Sequence, residues 1–122
     1  MSNRAGADAP ITTAVAQPTA NLDAVATFTG VANKQWVLVK VITSYSATPT
    51  TLPGVVTIES DTDDRGQWYV TEAGPAPIDF NDPQSYSTGG FPVDVGGDLV
   101  VTLDAGGVGI LGRVTAVAKL LD

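Results

Sequence analysis

The chain has 122 residues, 43% of them hydrophobic and 16% charged, which fits a single domain built around one core. Thirteen Asp and Glu residues against six Lys and Arg give a net charge of −7, which argues against nucleic acid and anionic membranes as partners. The absence of His and Cys removes Ser-His catalysis, thiol catalysis, disulfides and cysteine-ligated zinc, so we expect neither an enzyme nor a cofactor.

The segment at the start of the chain, residues 1–21, is poor in large apolar side chains. It lacks the continuous apolar stretch of a signal peptide, so we expect a protein made in the cytoplasm. After Met1 its sizeable apolar residues are Ile11 and Val15, too few to offset the entropy lost if the segment orders on its own. We predict an extended N-terminal arm over residues 1–21 and a β-sandwich domain over residues 22–122. The arm is either a frayed terminus or a strap that orders on a neighbouring subunit.

From residue 22 onward, short β-rich runs alternate with clusters of Gly, Pro and Asp. The runs predicted as strands are 25–29, 35–45, 55–59, 67–71, 91–95, 99–104 and 113–120. The last of these fits a short helix or a strand, and its β-branched residues favour the strand. In the longest run, alternation places Val37, Val39 and Val41 on one face and Trp36, Leu38 and Ile42 on the other. Seven or eight close-spaced strands predict an all-β fold, a jelly-roll-like antiparallel β-sandwich.

Turn residues join several of these runs. The acidic cluster at residues 61–66 predicts a hairpin between the runs on either side of it. Gly96 and Gly97 predict a second hairpin, between runs 91–95 and 99–104. The glycines of residues 107–112 match the G-x-G-x-x-G pattern, but the helix that a dinucleotide site requires is not predicted after them. We interpret them as a tight connection between two strands.

Acidic and aromatic residues offer alternative sites. Asp61, Asp63 and Asp64 resemble the start of a calcium loop but lack the closing Glu, so an acidic hairpin tip is favoured. Other carboxylates are expected in turns and not as a glycosidase pair; they are Asp79, Asp82, Asp94, Asp98 and Asp104. The larger aromatic residues form either a binding platform or part of the core, and the core is favoured; they are Trp36, Tyr45, Trp68, Tyr69 and Tyr86. Trp68 and Tyr69 are adjacent in a strand and must face opposite sides.

A series of motifs runs through residues 41–49, 54–59, 72–80 and 99–114. Its most specific parts are the Ser-Tyr-Ser-Ala-x-Pro turn and the Leu-x-Val-Thr-Leu-x-Ala-Gly-Gly-x-Gly run. Over roughly residues 36–118 the chain resembles small β-sandwich virion proteins of tailed bacteriophages, including capsid decoration (cement, or head-stabilising) proteins. It departs from their pattern at residues 80–91, where the usual short aromatic-proline stretch is longer and more polar.

The resemblance implies a structural virion protein on the outer capsid surface, assembled in the host cytoplasm. Its implied partners are the major capsid protein and two further copies in a homotrimer that bridges and stabilises neighbouring capsomers. We predict capsid or subunit contacts at Ile11, Val15 and Pro18 of the arm and at Asp79, Phe80 and Tyr86 of the loop at residues 79–90. The alternative is a receptor- or glycan-binding module of a phage tail or fibre, which requires Trp36, Trp68 or Tyr86 in an exposed groove. A small carboxylate hydrolase requires two converging Asp side chains in a deep pocket.

Overall fold

A computed structural model describes residues 11–50, 54–80 and 89–121. Within these ranges the regular structure consists of nine strands. They are β1 (Ile11–Ala16), β2 (Ala24–Phe28), β3 (Gln35–Tyr45), β4 (Gly54–Ser60), β5 (Asp63–Val70), β6 (Gly74–Asp79), β7 (Phe91–Pro92), β8 (Leu99–Leu103) and β9 (Gly112–Leu121). The described residues contain no helix of the length and hydropathy needed to cross a membrane.

The strands form two packed antiparallel sheets, which confirms the predicted β-sandwich. Sheet 1 has the order β1-β9-β3-β6, with β7 also paired to β3, and sheet 2 has the order β2-β8-β4-β5. The chain passes repeatedly from one sheet to the other, so strands distant in sequence lie side by side. Each sheet thus combines strands from both halves of the chain.

The core lies between the sheets and is built by alternation. In β2, β4 and β8 every second residue is buried, as expected for strands with one covered face. A β-bulge interrupts the pairing of β3 with β9 between Leu38 and Lys40. The bulge adds one residue and exchanges the two faces of the strand beyond it. Val41 therefore joins Trp36 and Leu38 in the core while Ile42 faces outward, so the alternation predicted for this strand is wrong after Leu38.

The first predicted domain boundary also differs from the structure. Ile11–Ala16 is an edge strand of sheet 1, paired with β9 along its whole length, and so belongs to the sandwich. Backbone hydrogen bonds to β9 compensate for the scarcity of large apolar residues in this segment. Residues 1–10 of the predicted arm lie outside the described residues. The connection of residues 17–23 then carries the chain to β2 in the other sheet.

Two connections differ in kind. The acidic hairpin joins β4 to β5 as predicted, but its turn consists of Asp61 and Thr62 alone, with Asp61 at a φ of 57°. The predicted hairpin at Gly96 and Gly97 is wrong, because β7 pairs with β3 in sheet 1 whereas β8 lies in sheet 2. Those glycines carry the chain between sheets, which local sequence cannot distinguish from a hairpin turn. The glycine-rich run of residues 107–112 does connect two strands, β8 and β9, as predicted.

The edges of the sheets differ in their capacity to pair with a further strand. In β6, Pro75 lies opposite Ser44 and Pro77 lies opposite Ile42 on β3. Because proline has no N–H, both nitrogens must point away from β3, toward the free edge. That edge of sheet 1 therefore lacks donors at two alternate positions. The edge of sheet 2 at β5 carries charged residues and an irregular register, whereas β1 contains neither proline nor charge.

Tyr45 closes one end of the core. Its ring is almost fully buried, and its hydroxyl donates a 2.7 Å hydrogen bond to the main-chain oxygen of Asp104. Burial, followed by the charges of Asp104 and Asp23, raises the pKa of Tyr45 to about 12. The ring is packed so closely against Gly54 and Gly106 that a side chain at either position would collide with it.

Replacing Tyr45 with phenylalanine is expected to lower the free energy of unfolding at pH 7 by about 1 kcal/mol, the net value of one hydrogen bond. It should also remove part of the alkaline loss of stability. The phenol loses its proton near pH 10.0 in the unfolded chain but only near 12 in the folded chain, so the free energy of unfolding falls as pH rises through this interval. Urea unfolding from pH 7 to 11 measures both effects. Tyr69→Phe is the exposed control, and an unchanged pH slope in Y45F would contradict the assignment.

Candidate interaction surface

The outward side of sheet 1 forms a continuous surface, which we call the sheet 1 face. Directly paired residues of antiparallel strands share a face, so the registers define its rows. One row crosses the sheet as Val15, Thr115, Ile42 and Pro77, and the next as Thr13, Val117, Lys40 and Asp79. The eight residues of these two rows, together with Ile11, Ser44, Pro75 and Arg113, make up the sheet 1 face.

Large apolar side chains are exposed on this surface where β1 crosses it. Ile11 is 63% exposed and Val15 is 53% exposed, while Ala14 and Ala16 of the same strand pack on the core. The strand therefore directs two alanines inward and its larger apolar residues, Ile11 and Val15, toward solvent, the reverse of a strand whose apolar side chains serve folding alone. Together with half-buried Ile42 and Val117, they give the sheet 1 face an apolar centre.

Arg113 stands at one side of this apolar centre. A shallow depression of about 290 Å³ is lined by Ile42, Ser44, Pro75, Arg113 and Thr115. A neighbouring depression shares Ser44 and Arg113 and adds Gln17, Ser46 and Leu111. The lining of both contains a guanidinium and hydroxyl groups but no carboxylate. Such a site can accept an anionic side chain by charge-assisted hydrogen bonding.

The outward side of sheet 2, here called the sheet 2 face, has a different character. Its registers align Val25, Thr102, Thr57 and Gln67 in one row and Thr27, Val100, Glu59 and Asp64 in the next. Tyr69 is 67% exposed on the same side, opposite Val55. Burial, followed by the neighbouring Asp64, raises the pKa of Glu59. These rows contain two carboxylates and no cation.

The predicted contact residues fall into four groups. Ile11 and Val15 lie exposed on the sheet 1 face, and Asp79 lies at its margin opposite Lys40. Pro18 is half-buried in the connection between β1 and β2. Phe80 is 2% exposed and packs in the core, so the structure corrects its assignment as a surface contact; an apolar residue at the end of a strand is drawn inward when neighbouring rings cover it. Tyr86 lies outside the described residues.

Ile42, Val117 and Arg113 were missed as surface residues. Val117 shares the outward alternation of Thr115 on β9, a signal present in the sequence once a strand is assumed. Simple alternation predicts Ile42 on the same face as the buried Trp36 and Leu38, because it does not reveal the bulge in β3. Arg113 lies at the end of the glycine-rich motif, and a single cation in a sequence carries no signal of a binding site.

The acidic hairpin tip is held by structural hydrogen bonds. Asp61 accepts one from the main-chain N–H of Asp98 at 3.0 Å, and Arg65 donates one to Asp94 at 2.7 Å. Among residues 11–50, 54–80 and 89–121, no three acidic side chains come together as a possible metal-binding set. The carboxylates at this turn therefore fix the turn and the adjacent loop.

Two carboxylates meet near Tyr45. Burial, followed by the charge of Asp23, raises the pKa of Asp104. Asp23 in turn accepts a 2.8 Å hydrogen bond from the main-chain N–H of Ala105, which anchors the connection leading out of β8. Neither carboxylate lines the depressions beside Arg113. The pair is thus accounted for by loop structure, whereas a glycosidase pair requires a cleft between the two groups.

The tryptophans belong to the interior. Trp36 is buried and packs on Phe28, with ring centroids 5.0 Å apart. Trp68 packs edge to face on Phe80 and Phe91, at 5.1 and 6.0 Å. Tyr69, its neighbour in β5, points to solvent, which confirms that the two adjacent residues face opposite sides.

Comparisons with known proteins agree on the architecture. No protein-family model and no curated protein matches the chain. The CBM36-1 domain of a multidomain xylanase from the hindgut metagenome of Trinervitermes trinervoides is similar with a TM-score of 0.50 at 8% identity, over 89% of this chain and 95% of that chain. This likeness shows the fold alone, that of a β-sandwich.

Two further solved structures are similar at lower scores. Family 16 Carbohydrate Binding Module-2 has a TM-score of 0.46 at 11% identity, over 87% of this chain and 74% of that chain. A chain of the acidic stable capsid structure of Helicobacter pylori bacteriophage KHP30 has a TM-score of 0.42 at 14% identity, over 92% of this chain and 93% of that chain. Scores below 0.5 carry no argument about what this chain binds.

Proposed function

We propose that this chain is a structural virion protein that binds the outer surface of a bacteriophage capsid as a decoration protein. The observation that carries the proposal is the exposure of Ile11 and Val15 on the sheet 1 face, beside Ile42 and Val117. An apolar centre with polar margins is the usual anatomy of a protein-binding surface. The sequence resemblance to phage decoration proteins supplies the identity of the partner, the major capsid protein.

Assembly into a trimer that bridges capsomers is part of the same proposal. A ligand that binds only the assembled shell shifts the equilibrium against disassembly, by an amount that grows with its free concentration relative to its Kd. Linking copies raises the effective concentration of each further contact, so modest individual affinities suffice. Light scattering of the purified protein measures the number of copies directly.

Binding to heads that lack the protein tests the proposal. Purified protein is titrated onto expanded heads, and occupancy is measured by co-sedimentation. We expect saturable binding, and we expect Val15→Asp to weaken it by about tenfold or more because it places a charge in the apolar centre. Heads with bound protein should also resist heat better than bare heads.

A matched control is available on the other sheet. Val25 is also an exposed valine on an edge strand, at 47% exposure, but it lies on the sheet 2 face. Val25→Asp should bind heads as wild type does. Loss of binding in V25D with full binding in V15D would show that the sheet 2 face, and not the sheet 1 face, contacts the capsid. Absence of wild-type binding would reject the proposed function.

A glycan-binding module of a phage tail or fibre is the second candidate. Tyr69, exposed beside Gln67 and Thr57 on the sheet 2 face, is the observation in its favour. Of the residues this alternative first required, Trp36 is buried, Trp68 is half-buried against Phe80, and Tyr86 lies outside the described residues. Glycan-array binding by wild type that Tyr69→Ala abolishes, without binding to heads, would favour this candidate.

A further inference from the structure

Charge is divided unevenly over the described residues. Lys40 and Arg113 lie on the sheet 1 face against the single carboxylate of Asp79, while Lys119, paired with Ile11 on the same side, is buried at 7% exposure. Elsewhere in the described ranges there are nine carboxylates and two cations, Lys34 and Arg65. The sheet 1 face is thus the cationic side of an otherwise acidic molecule.

The cations and the apolar residues occupy the same surface. Arg113 is exposed, and Thr115 separates it from Val117 along β9. The depression beside Arg113 is walled on its other side by Ile42 and Pro75. A ligand seated there would meet a guanidinium, two hydroxyl groups and apolar side chains within one small area.

We infer that the sheet 1 face binds an acidic protein surface, with a partner carboxylate held by Arg113 and Ser44 and partner apolar side chains over Ile42 and Val117. A guanidinium is well suited to this because its planar donors match a carboxylate. The inference rests on the proposed function in one respect, since the acidic surface is assigned to the capsid exterior.

The chemistry favours protein over other polyanions. Binding to a phosphate backbone relies on many cations, whereas the sheet 1 face has two, Lys40 and Arg113, and the whole chain has a net charge of −7. The apolar centre contributes nothing to phosphate recognition but matches the mixed character of a protein surface. The acidic sheet 2 face would be repelled by the same partner, so the charge distribution also selects one orientation of docking.

A pair of variants with equal net charge tests the inference. Arg113→Gln on the sheet 1 face and Gln67→Glu on the sheet 2 face each make the net charge more negative by one, and both side chains are exposed. Affinity for expanded heads is measured at several salt concentrations. We expect Arg113→Gln to weaken binding about tenfold and Gln67→Glu by less than about twofold. Wild-type affinity should fall with added salt, and less steeply in R113Q.

The outcomes separate the inference from the proposed function. Wild-type binding that is unaffected by Arg113→Gln and by salt overturns the inference and leaves the decoration role standing. Failure of the wild type to bind heads at any salt concentration overturns both. Binding of the wild type to duplex DNA or to phosphatidylserine vesicles as tightly as to heads overturns the choice of a protein partner. Thermal unfolding of each variant verifies that it is folded.

Discussion

Replacing Trp68 with alanine is expected to lower the free energy of unfolding by about 3 kcal/mol. The indole packs edge to face on Phe80 and Phe91, whose own ring centroids are 5.6 Å apart, so the three rings form one cluster. Removing the indole leaves a cavity that neither phenylalanine can fill without losing its contact with the other phenylalanine ring. Part of the indole remains exposed to solvent, which keeps the cost below that of a fully buried tryptophan.

The adjacent residue supplies the control for this prediction. Tyr69 follows Trp68 in β5 and has the same strand environment, but its ring is in solvent. Tyr69→Ala should cost less than about 1 kcal/mol. Urea unfolding followed by far-ultraviolet circular dichroism compares the two, since W68A removes the tryptophan signal that fluorescence would use. Equal losses in both variants would mean that the aromatic cluster contributes nothing specific.

Replacing Gly106 with alanine is expected to cost about 2 kcal/mol. A Cβ atom at this position would lie 2.7 Å from Cγ2 of Ile110 and 2.9 Å from Cδ1 of Tyr45, both closer than side chains tolerate. Tyr45 cannot retreat freely, because its hydroxyl is held by the main-chain oxygen of Asp104 and its opposite side is packed on Gly54. The substitution should therefore strain the closed end of the core.

Gly112 offers a matched substitution against the same ring. An alanine Cβ there would lie 3.5 Å from Cε1 of Tyr45 and 3.4 Å from Cδ2 of Leu103, which are ordinary contact distances. Gly112→Ala should change stability by less than about 1 kcal/mol, or raise it through the reduced entropy of the unfolded chain. Urea unfolding decides the matter, and a G106A variant as stable as G112A would show that the ring can shift.

The sequence predicted the class of fold because alternation and turn residues are local signals. The β9 strand, the acidic hairpin and the glycine-rich connection all follow from such signals. The error at Gly96 and Gly97 has a different origin, since a glycine pair permits a sharp turn in either direction. Whether the chain stays in one sheet or crosses to the other depends on long-range pairing with β3 and β2, which no short segment encodes.

The candidate site was less predictable. Ile11 and Val15 were found because they are isolated apolar residues in a polar segment, yet residues 11–16 form an edge strand and not a free arm. Deletion of residues 1–20 would therefore remove part of sheet 1 as well as the contacts, and point substitutions are the better test. The bulge in β3 reverses the face predicted for Ile42 from alternation. Arg113 is recognisable as a site residue only in the folded sheet, where three strands bring Ser44 and Pro75 beside it.

The prolines of β6 bear on how crowded copies of this protein behave. Growth of a fibre by strand addition requires two open edges in the same sheet, one to receive a neighbour and one to offer to the next. Sheet 1 offers β1, but its opposite edge lacks donors at Pro75 and Pro77. Contact between two β1 edges would therefore end with a pair and would not propagate. Sheet 1 thus keeps one edge open to strand pairing without supporting amyloid-like growth through that sheet.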